Sequence, residues 1–311
     1  MSKFILPNIN KCKVFRNGRF ETLNEDTYRG VQEFCKEVYK ANNVRFVFRA
    51  DRNVAHTYNS NYDSPELARR IFMVGVKGNS FFSSYDQHNP DMFRHGEEIF
   101  ERIQETLNSN QGTERFRNNM RRFVAQNADF AKFFCDNANK YVYANAFKTR
   151  SKLFINDYYE TFLHSLYRNG YKNKNSQYIS TSTNIDTARD FQNGGVLFVC
   201  WLNKSGIIPY FNINKRNSRI ASMGLPVYNQ CVYYYQKEIC LKYGILPHVI
   251  LGYFYNDDFI VNHHLIEDIG NRSMDDIING GTIIDQKDFR QVLSETRYKR
   301  GYNLTTHQYI S

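Results

Sequence analysis

The chain has 311 residues, of which 41% are hydrophobic and 16% aromatic, and its 41 Lys and Arg against 31 Asp and Glu give a formal net charge of +10. This composition supports a substantial packed core and excludes wholesale disorder. The basic residues are spread along the chain, which argues against nucleic-acid binding. The apolar stretches are far shorter than the roughly 20 residues of a membrane span.

The first part of the chain predicts a helix, a strand and then a long helical region. Apolar residues at helical spacing predict a helix over residues 22–41, with Asn24 as its cap. The β-branched and aromatic run at 44–49 predicts a strand. Residues 64–170 predict three to five helices. These segments begin at Pro65 and continue over 91–108, 113–138 and 150–168.

From residue 177 onward the pattern changes to short strands, so the fold class predicted is α+β. A strand at 177–182 precedes a short helix at 186–191, in which Ala188 and Phe191 are predicted to face inward. The continuous apolar run at 196–202 predicts a buried central strand. The further predicted strands are 207–212, 232–235, 238–241 and 249–255.

The cysteines and histidines do not predict a metal site. The six cysteines include no Cys-x-x-Cys pair, and the adjacent His263 and His264 have no matching ligand pattern, so no zinc is expected. Free thiols in a reducing compartment are expected instead. Residues 1–19 have scattered charges and no apolar core, so a cleavable secretory signal is not expected either.

Three short segments are the candidates for chemistry. Arg49 ends the first predicted strand, Ser180-Thr181-Ser182 closes another, and Gln236-Lys237-Glu238 follows a run of three tyrosines. Each segment alone is ordinary: a strand-end arginine is usually solvated, and Ser-Thr-Ser is common in loops. A Gln-x-Glu within a strand would place both side chains on one face.

The order and context of these segments closely resemble the Arg–Ser–Glu class of mono-ADP-ribosyltransferases. The flanking features match as well: a short helix, a glycine pair and an apolar strand follow Ser-Thr-Ser, and a proline turn and a glycine-containing strand follow the Glu. The resemblance implies a split β-sandwich of the ADP-ribosyltransferase type. It would form a single catalytic domain over 1–311, with a helical insertion at 64–170 and a strand-rich core at 177–260.

The resemblance also implies roles in NAD cleavage. Arg49 would bind NAD through its phosphates, since a guanidinium fits paired phosphate oxygens, and Arg52 is the alternative for this role. Ser180 would hydrogen-bond the catalytic Glu238, which would bind the ribose 2′-hydroxyl. A fixed carboxylate beside the ribose stabilises the positive charge that develops as the nicotinamide leaves. NAD would be a co-substrate, and no metal would be needed.

The remaining residues of these segments would serve the turn and the acceptor. Thr181 and Ser182 would support the turn after Ser180, and Gln236 would face the acceptor. In the family, Gln at this position accompanies neutral acceptors more often than arginine. Tyr233, Tyr234 and Tyr235 would lie in the loop that meets the substrate; ordinary strand packing explains them equally well.

The segment between Arg49 and Ser180 is longer than in compact family members. The helical region at 64–170, which this segment contains, would be a target-recognition element or a scaffold. The layout is similar to bacterial effectors that ADP-ribosylate ubiquitin on threonine, and also to Rho-modifying exoenzymes. A secreted effector acting in a host cytosol is therefore expected. Two alternatives stay open: an NAD glycohydrolase, in which water is the acceptor, and a non-enzymatic binding module.

Overall fold

The computed structural model describes residues 3–77, 92–109, 112–149, 152–166, 178–203, 210–213, 216–242, 244–280, 302–303 and 308–309. The helices are α1 (Glu25–Lys40), α2 (Val54–Thr57), α3 (Pro65–Val74), α4 (Met92–Asn108), α5 (Glu114–Gln126), α6 (Ala128–Cys135), α7 (Asn139–Thr149), α8 (Lys152–Ser165), α9 (Ile185–Arg189), α10 (Ser218–Ser222), α11 (His263–Asn271) and α12 (Met274–Gly280). The strands are β1 (Cys12–Arg16), β2 (Arg19–Thr22), β3 (Val44–Asp51), β4 (Val76–Lys77), β5 (Tyr178–Ser182), β6 (Val196–Asn203), β7 (Tyr210–Asn212), β8 (Glu238–Lys242), β9 (Gly244–Ile245), β10 (Ile250–Tyr255), β11 (Asp258–Val261), β12 (Tyr302–Asn303) and β13 (Gln308–Tyr309). None of the helices among these residues is long and apolar enough to cross a membrane.

The chain divides into two compact units. Unit 1 comprises Met1–Gly78, Thr181–Pro209 and Leu241–Ser311, and unit 2 comprises Asn79–Ser180 and Tyr210–Cys240. The boundaries therefore fall inside β5 and β8. This division differs from the predicted insertion at 64–170, because α3 belongs to unit 1 and the segment Tyr210–Cys240 belongs to unit 2.

Unit 1 is built on a mixed sheet with the strand order β2-β1-β11-β10-β6-β3, followed by the C-terminal end of β5. β1 and β11 are parallel, and β6 pairs antiparallel with both β10 and β3. Every residue of β6 is buried, as its continuous apolar run predicts. Trp201 of this strand packs edge-on against Phe34 of α1, with ring centroids 5.0 Å apart.

Unit 2 has a core made largely of aromatic side chains. Five of its helices, α4 to α8, carry most of this core, and Phe130 of α6 lies within 6.4 Å, between ring centroids, of five other rings. The segment that leads into β8 shares the same core through Tyr228, Val232 and Cys240. The helical region and the strand that bears Glu238 are thus stabilised by one set of contacts.

Several predicted elements agree with the structure. The helix predicted at 22–41 is α1, and the Asn24 side chain caps it by accepting a hydrogen bond from the Thr27 N–H. The strands predicted at 44–49, 196–202, 238–241 and 249–255 are β3, β6, β8 and β10. The strand at 177–182 is β5 from residue 178 onward, and 207–212 is β7 from residue 210 onward; residues 177 and 207–209 lie outside the described residues.

The helical region departs from the prediction in the number and the bounds of its helices, and α7 lies between two of the predicted segments. The described residues between 64 and 170 contain six helices, α3 to α8, rather than three to five. The single helix predicted at 113–138 is broken at Asn127, whose φ of −132° and ψ of 48° are not helical. Its side chain links α5 to the segment before β8 by donating to the Phe123 carbonyl at 2.9 Å and accepting from the Asn229 N–H at 2.7 Å.

Two other predictions are wrong. Phe191 does not face inward: 39% of it is exposed, because α9 ends at Arg189 and Phe191 follows in a turn, whereas Ala188 is buried as predicted. Residues 232–235 do not form a strand. They lead into a 3₁₀ turn over Tyr234–Gln236, in which the Gln236 N–H donates to the Tyr233 carbonyl at 2.8 Å.

Candidate functional site

Glu238 is the buried carboxylate at the start of β8. It is 5% exposed and lies in unit 2 beside the aromatic core. Its neighbour on the same face of the strand is Cys240, whose Sγ lies 3.6 Å from Glu238 Oε1. Burial, and secondly the Glu238 carboxylate, hold the pKa of the Cys240 thiol well above its usual range. The same two causes raise the pKa of Cys231 to about 12.

Ser180 and His164 complete this polar cluster. Ser180, in β5, lies with its Oγ 2.9 Å from Nε2 of His164, which is near the end of α8. His164, Glu238 and Cys240 each have one atom that could bind a metal ion, and these three atoms lie within 4.8 Å of one another. Unit 2 therefore gathers a hydroxyl, an imidazole, a carboxylate and a thiol at the edge of an otherwise apolar core.

The Gln-x-Glu pair is not arranged as the sequence predicts. Gln236 lies in the 3₁₀ turn, and Lys237 has a left-handed backbone with φ 48° and ψ 44°. Only Glu238 belongs to the strand, so the two side chains do not share one strand face. The period-of-two argument fails here because the residue between them is not extended.

Two of the three tyrosines before Glu238 are on the surface. Tyr234 and Tyr235 are 38% and 37% exposed, whereas Tyr233 is 7% exposed and belongs to the core. Tyr233 therefore packs in the core, which is the alternative that the sequence left open, and a role for it in substrate contact stays a prediction. Two arginines of α5 hold the exposed rings: Arg122 lies 5.1 Å from the Tyr234 centroid, and Arg115 donates to the Tyr235 hydroxyl at 3.0 Å.

In unit 1, Arg49 and Arg52 occupy different environments. Arg49 lies within β3, opposite Phe198 of β6, and its side chain is 24% exposed. Its Nη2 lies 3.3 Å from Asp51 Oδ2, an ion pair along the same face of the strand. Arg52 follows the strand in a bend and is exposed, and its carbonyl accepts a hydrogen bond from the Tyr62 hydroxyl.

The end of β3 is closely packed against the backbone before β6. A Cβ added to Gly195 would lie 2.4 Å from the Asp51 carbonyl oxygen and 2.5 Å from the Arg52 Cα. These are backbone atoms and cannot move aside as a side chain can. Only glycine therefore fits at position 195 while the strand end that follows Arg49 keeps this path.

Thr181 and Ser182 also belong to unit 1, and both are buried. Ser182 pairs with Phe48 of β3 and accepts a hydrogen bond through its Oγ from the Asn184 N–H at 3.0 Å. Asn184 in turn caps α9. The contacts of Ser182 and Asn184 lie in the turn after β5. The supporting roles of Thr181 and Ser182 stay a prediction.

Two residues of the polar cluster in unit 2, His164 and Cys240, are not among the candidates that the sequence predicts. Cys240 lies only two positions after Glu238, whereas His164 is distant from it in the chain. His164 lies sixteen positions before Ser180, in a helical segment with no motif around it. Its proximity to Ser180 depends on how α8 packs, which no short pattern encodes. Comparison of the chain with protein families, with curated proteins and with solved structures finds no match.

Proposed function

We propose that this protein is a mono-ADP-ribosyltransferase that cleaves NAD and transfers ADP-ribose to a protein side chain other than arginine. The observation that carries the proposal is Glu238, a buried carboxylate in a polar cluster with Ser180 and His164 at the start of a strand. A carboxylate shielded from water stabilises a developing ribosyl cation more strongly than an exposed one does. The proposal includes the split β-sandwich fold of that family.

Each residue has a stated task in this proposal. Glu238 binds the ribose 2′-hydroxyl and stabilises the ribosyl cation. Ser180 and His164 limit the rotation of the side chains around Glu238. Arg49 binds the NAD phosphates, and it is favoured over Arg52 because β3 fixes its backbone and Asp51 orients its guanidinium. A phosphate would compete with Asp51 for the same nitrogen atoms.

The central experiment measures nicotinamide release and protein labelling from labelled NAD. Glu238→Gln, which keeps the shape of the side chain and removes its charge, should lower nicotinamide release by about 10²–10³-fold. Asp268→Asn is the matched control, since Asp268 is also a buried carboxylate, 3% exposed, and is paired with Arg272 in unit 1. Thermal melting should show that both variants are folded.

The acceptors to be tested are ubiquitin, a Rho-type GTPase and a eukaryotic lysate. Labelled protein that depends on Glu238 supports a transferase, and mass spectrometry then identifies the modified residue. Nicotinamide release that depends on Glu238 without any labelled protein would instead establish an NAD glycohydrolase. Wild-type rates in a folded Glu238→Gln variant would refute the catalytic role of Glu238, and a wild type that releases no nicotinamide would refute both activities.

The exposed tyrosines provide a separate test of acceptor binding. Replacing Tyr234 and Tyr235 by serine should lower protein labelling by at least about tenfold, because exposed aromatic rings with arginine neighbours are typical of energetically dominant interface residues. Nicotinamide release without acceptor should not change. Tyr141→Ser is the control, since Tyr141 is 67% exposed on α7 of the same unit. Equal loss of both rates would exclude an acceptor-specific role.

A further inference from the structure

Three side chains of different chemistry converge on one point of unit 2. His164 comes from α8, and Glu238 and Cys240 come from one face of β8. Their donor atoms all lie within 4.8 Å of one another, and Glu238 and Cys240 are both buried. Nitrogen, oxygen and sulfur donors from two separate elements thus meet in a space largely closed to water.

The separation of the two strand donors matches metal coordination. Zinc binds thiolate sulfur at about 2.3 Å and carboxylate oxygen at about 2.0–2.2 Å, and a tetrahedral angle between these bonds places S and O about 3.6 Å apart. The Cys240 thiol donates a hydrogen bond to Glu238 Oε1 over this same distance of 3.6 Å, so zinc would take the place of the thiol proton. One ion can therefore bind both atoms without moving the strand, and a ring nitrogen of His164 lies within 4.8 Å of each of them.

The donor set favours zinc over other common divalent ions. Magnesium and calcium prefer oxygen ligands, whereas imidazole and thiolate suit zinc and its spectroscopic substitute cobalt. Three protein ligands leave one position of a tetrahedral ion for water or another small ligand. Ser180 contacts the His164 ring at 2.9 Å, and such contacts commonly orient histidine ligands.

We propose that His164, Glu238 and Cys240 form a binding site for a single zinc ion. The thiol proton of Cys240 passes to solvent as the ion binds, since the ligand is the thiolate. A zinc-bound Glu238 cannot also bind the ribose of NAD, so zinc would inhibit the reaction. This inhibition, unlike the site itself, rests on the proposed function. A zinc site departs from the expectation, drawn from the sequence, that no metal is involved.

The site is tested by cobalt titration of the full chain after treatment with a chelator. One equivalent of Co²⁺ should bind and give the visible bands of a tetrahedral ion, together with a near-ultraviolet thiolate-to-cobalt band. Cys240→Ser should abolish the thiolate band, while Cys231→Ser should retain it. Cys231 is the matched control because it is also buried in the same core.

A second variant keeps the test decisive if Cys240→Ser does not fold. His164→Gln should retain the thiolate band but lower the affinity for Co²⁺ by at least about tenfold. Absence of tetrahedral bands in the folded wild type would overturn the proposal, as would a thiolate band that persists in folded Cys240→Ser. These readouts do not depend on NAD, so they separate failure of the metal site from failure of the proposed function.

The inhibitory effect is measured on nicotinamide release. Zn²⁺ should inhibit the wild type, and Cys240→Ser should require at least about tenfold more zinc for half-inhibition. Equal zinc sensitivity in the two proteins would show that the inhibition does not occur at this site.

Discussion

The stability of unit 1 should depend on pH through His263, the first residue of α11. Phe15 and Phe72 pack edge-on against its ring, and the ring of His264 lies 3.9 Å away, between centroids. Its Nδ1 is buried and has no hydrogen-bond partner among the described residues. Burial, then the neighbouring His264, lower the pKa of His263 from 6.5 to about 3, with Arg16 adding to this and Glu267 opposing it.

The direction of the effect follows from which state takes up the proton. The unfolded chain protonates His263 below about pH 6.5, whereas the folded protein keeps it neutral down to about pH 3. Stability is therefore complete above pH 6.5 and falls as the pH is lowered toward 3. At pH 4.5 the difference of two pH units from 6.5 corresponds to at most about 3 kcal/mol of lost unfolding free energy.

Urea denaturation at pH 7 and pH 4.5 measures this loss. The chain has one tryptophan, Trp201, which is fully buried in unit 1 and reports its unfolding by fluorescence. His263→Gln, which cannot be protonated, should lose less stability over this pH range than the wild type, by up to about 3 kcal/mol. The exposed His56 of unit 1, changed to Gln, is the control. An equal pH-dependent loss in wild type and His263→Gln would refute the reasoning.

Two further predictions concern the end of β3. Gly195→Ala should lower the unfolding free energy by about 1–3 kcal/mol, because the added Cβ overlaps backbone atoms. Gly270→Ala is the control: it lies in a helix with open space around it and should be neutral or stabilising by up to about 1 kcal/mol. Equal urea midpoints for the two variants would contradict this. Arg49→Lys should weaken NAD binding by about tenfold or more, because lysine lacks the two-pronged geometry, and Arg52→Lys should change it little. Calorimetric titration with NAD distinguishes them, and the reverse ranking would assign the phosphates to Arg52.

The fold was predictable from the sequence where one local pattern decides the structure. The apolar run of β6 and the Asn24 cap of α1 are such patterns, and both are confirmed. The hairpin between β1 and β2 has an equally local signal, the Asn17-Gly18 pair with φ of 50° and 76°, although it is not among the predicted elements. The strand predicted at 232–235 failed because the chain turns there: Tyr234–Gln236 form a 3₁₀ turn, and Lys237 after it has a left-handed backbone.

The candidate site was predictable only in part, because its members depend on packing. Glu238 and Ser180 could be identified because they lie in short segments of recognisable order. His164 could not be connected to Glu238 from the sequence, since α8 and β8 are far apart in the chain. Cys240 lies in the same strand as Glu238, but a single buried cysteine carries no signal of a role. The burial of Tyr233 beside two exposed tyrosines follows from how the core of unit 2 closes, and alternation along the chain does not reveal it.

The pairing of β1 with β11 affects how the protein is made on the ribosome. Lys13 of β1 and Asp258 of β11 form a hydrogen bond across 245 positions of sequence. At typical synthesis rates of about 5–20 residues per second, β11 is translated roughly 12–50 s after β1. The segments of unit 2 end at Cys240 and are all synthesised before β11. The sheet of unit 1 is therefore completed last, and a chaperone that binds the nascent chain would be expected to protect β1 until then.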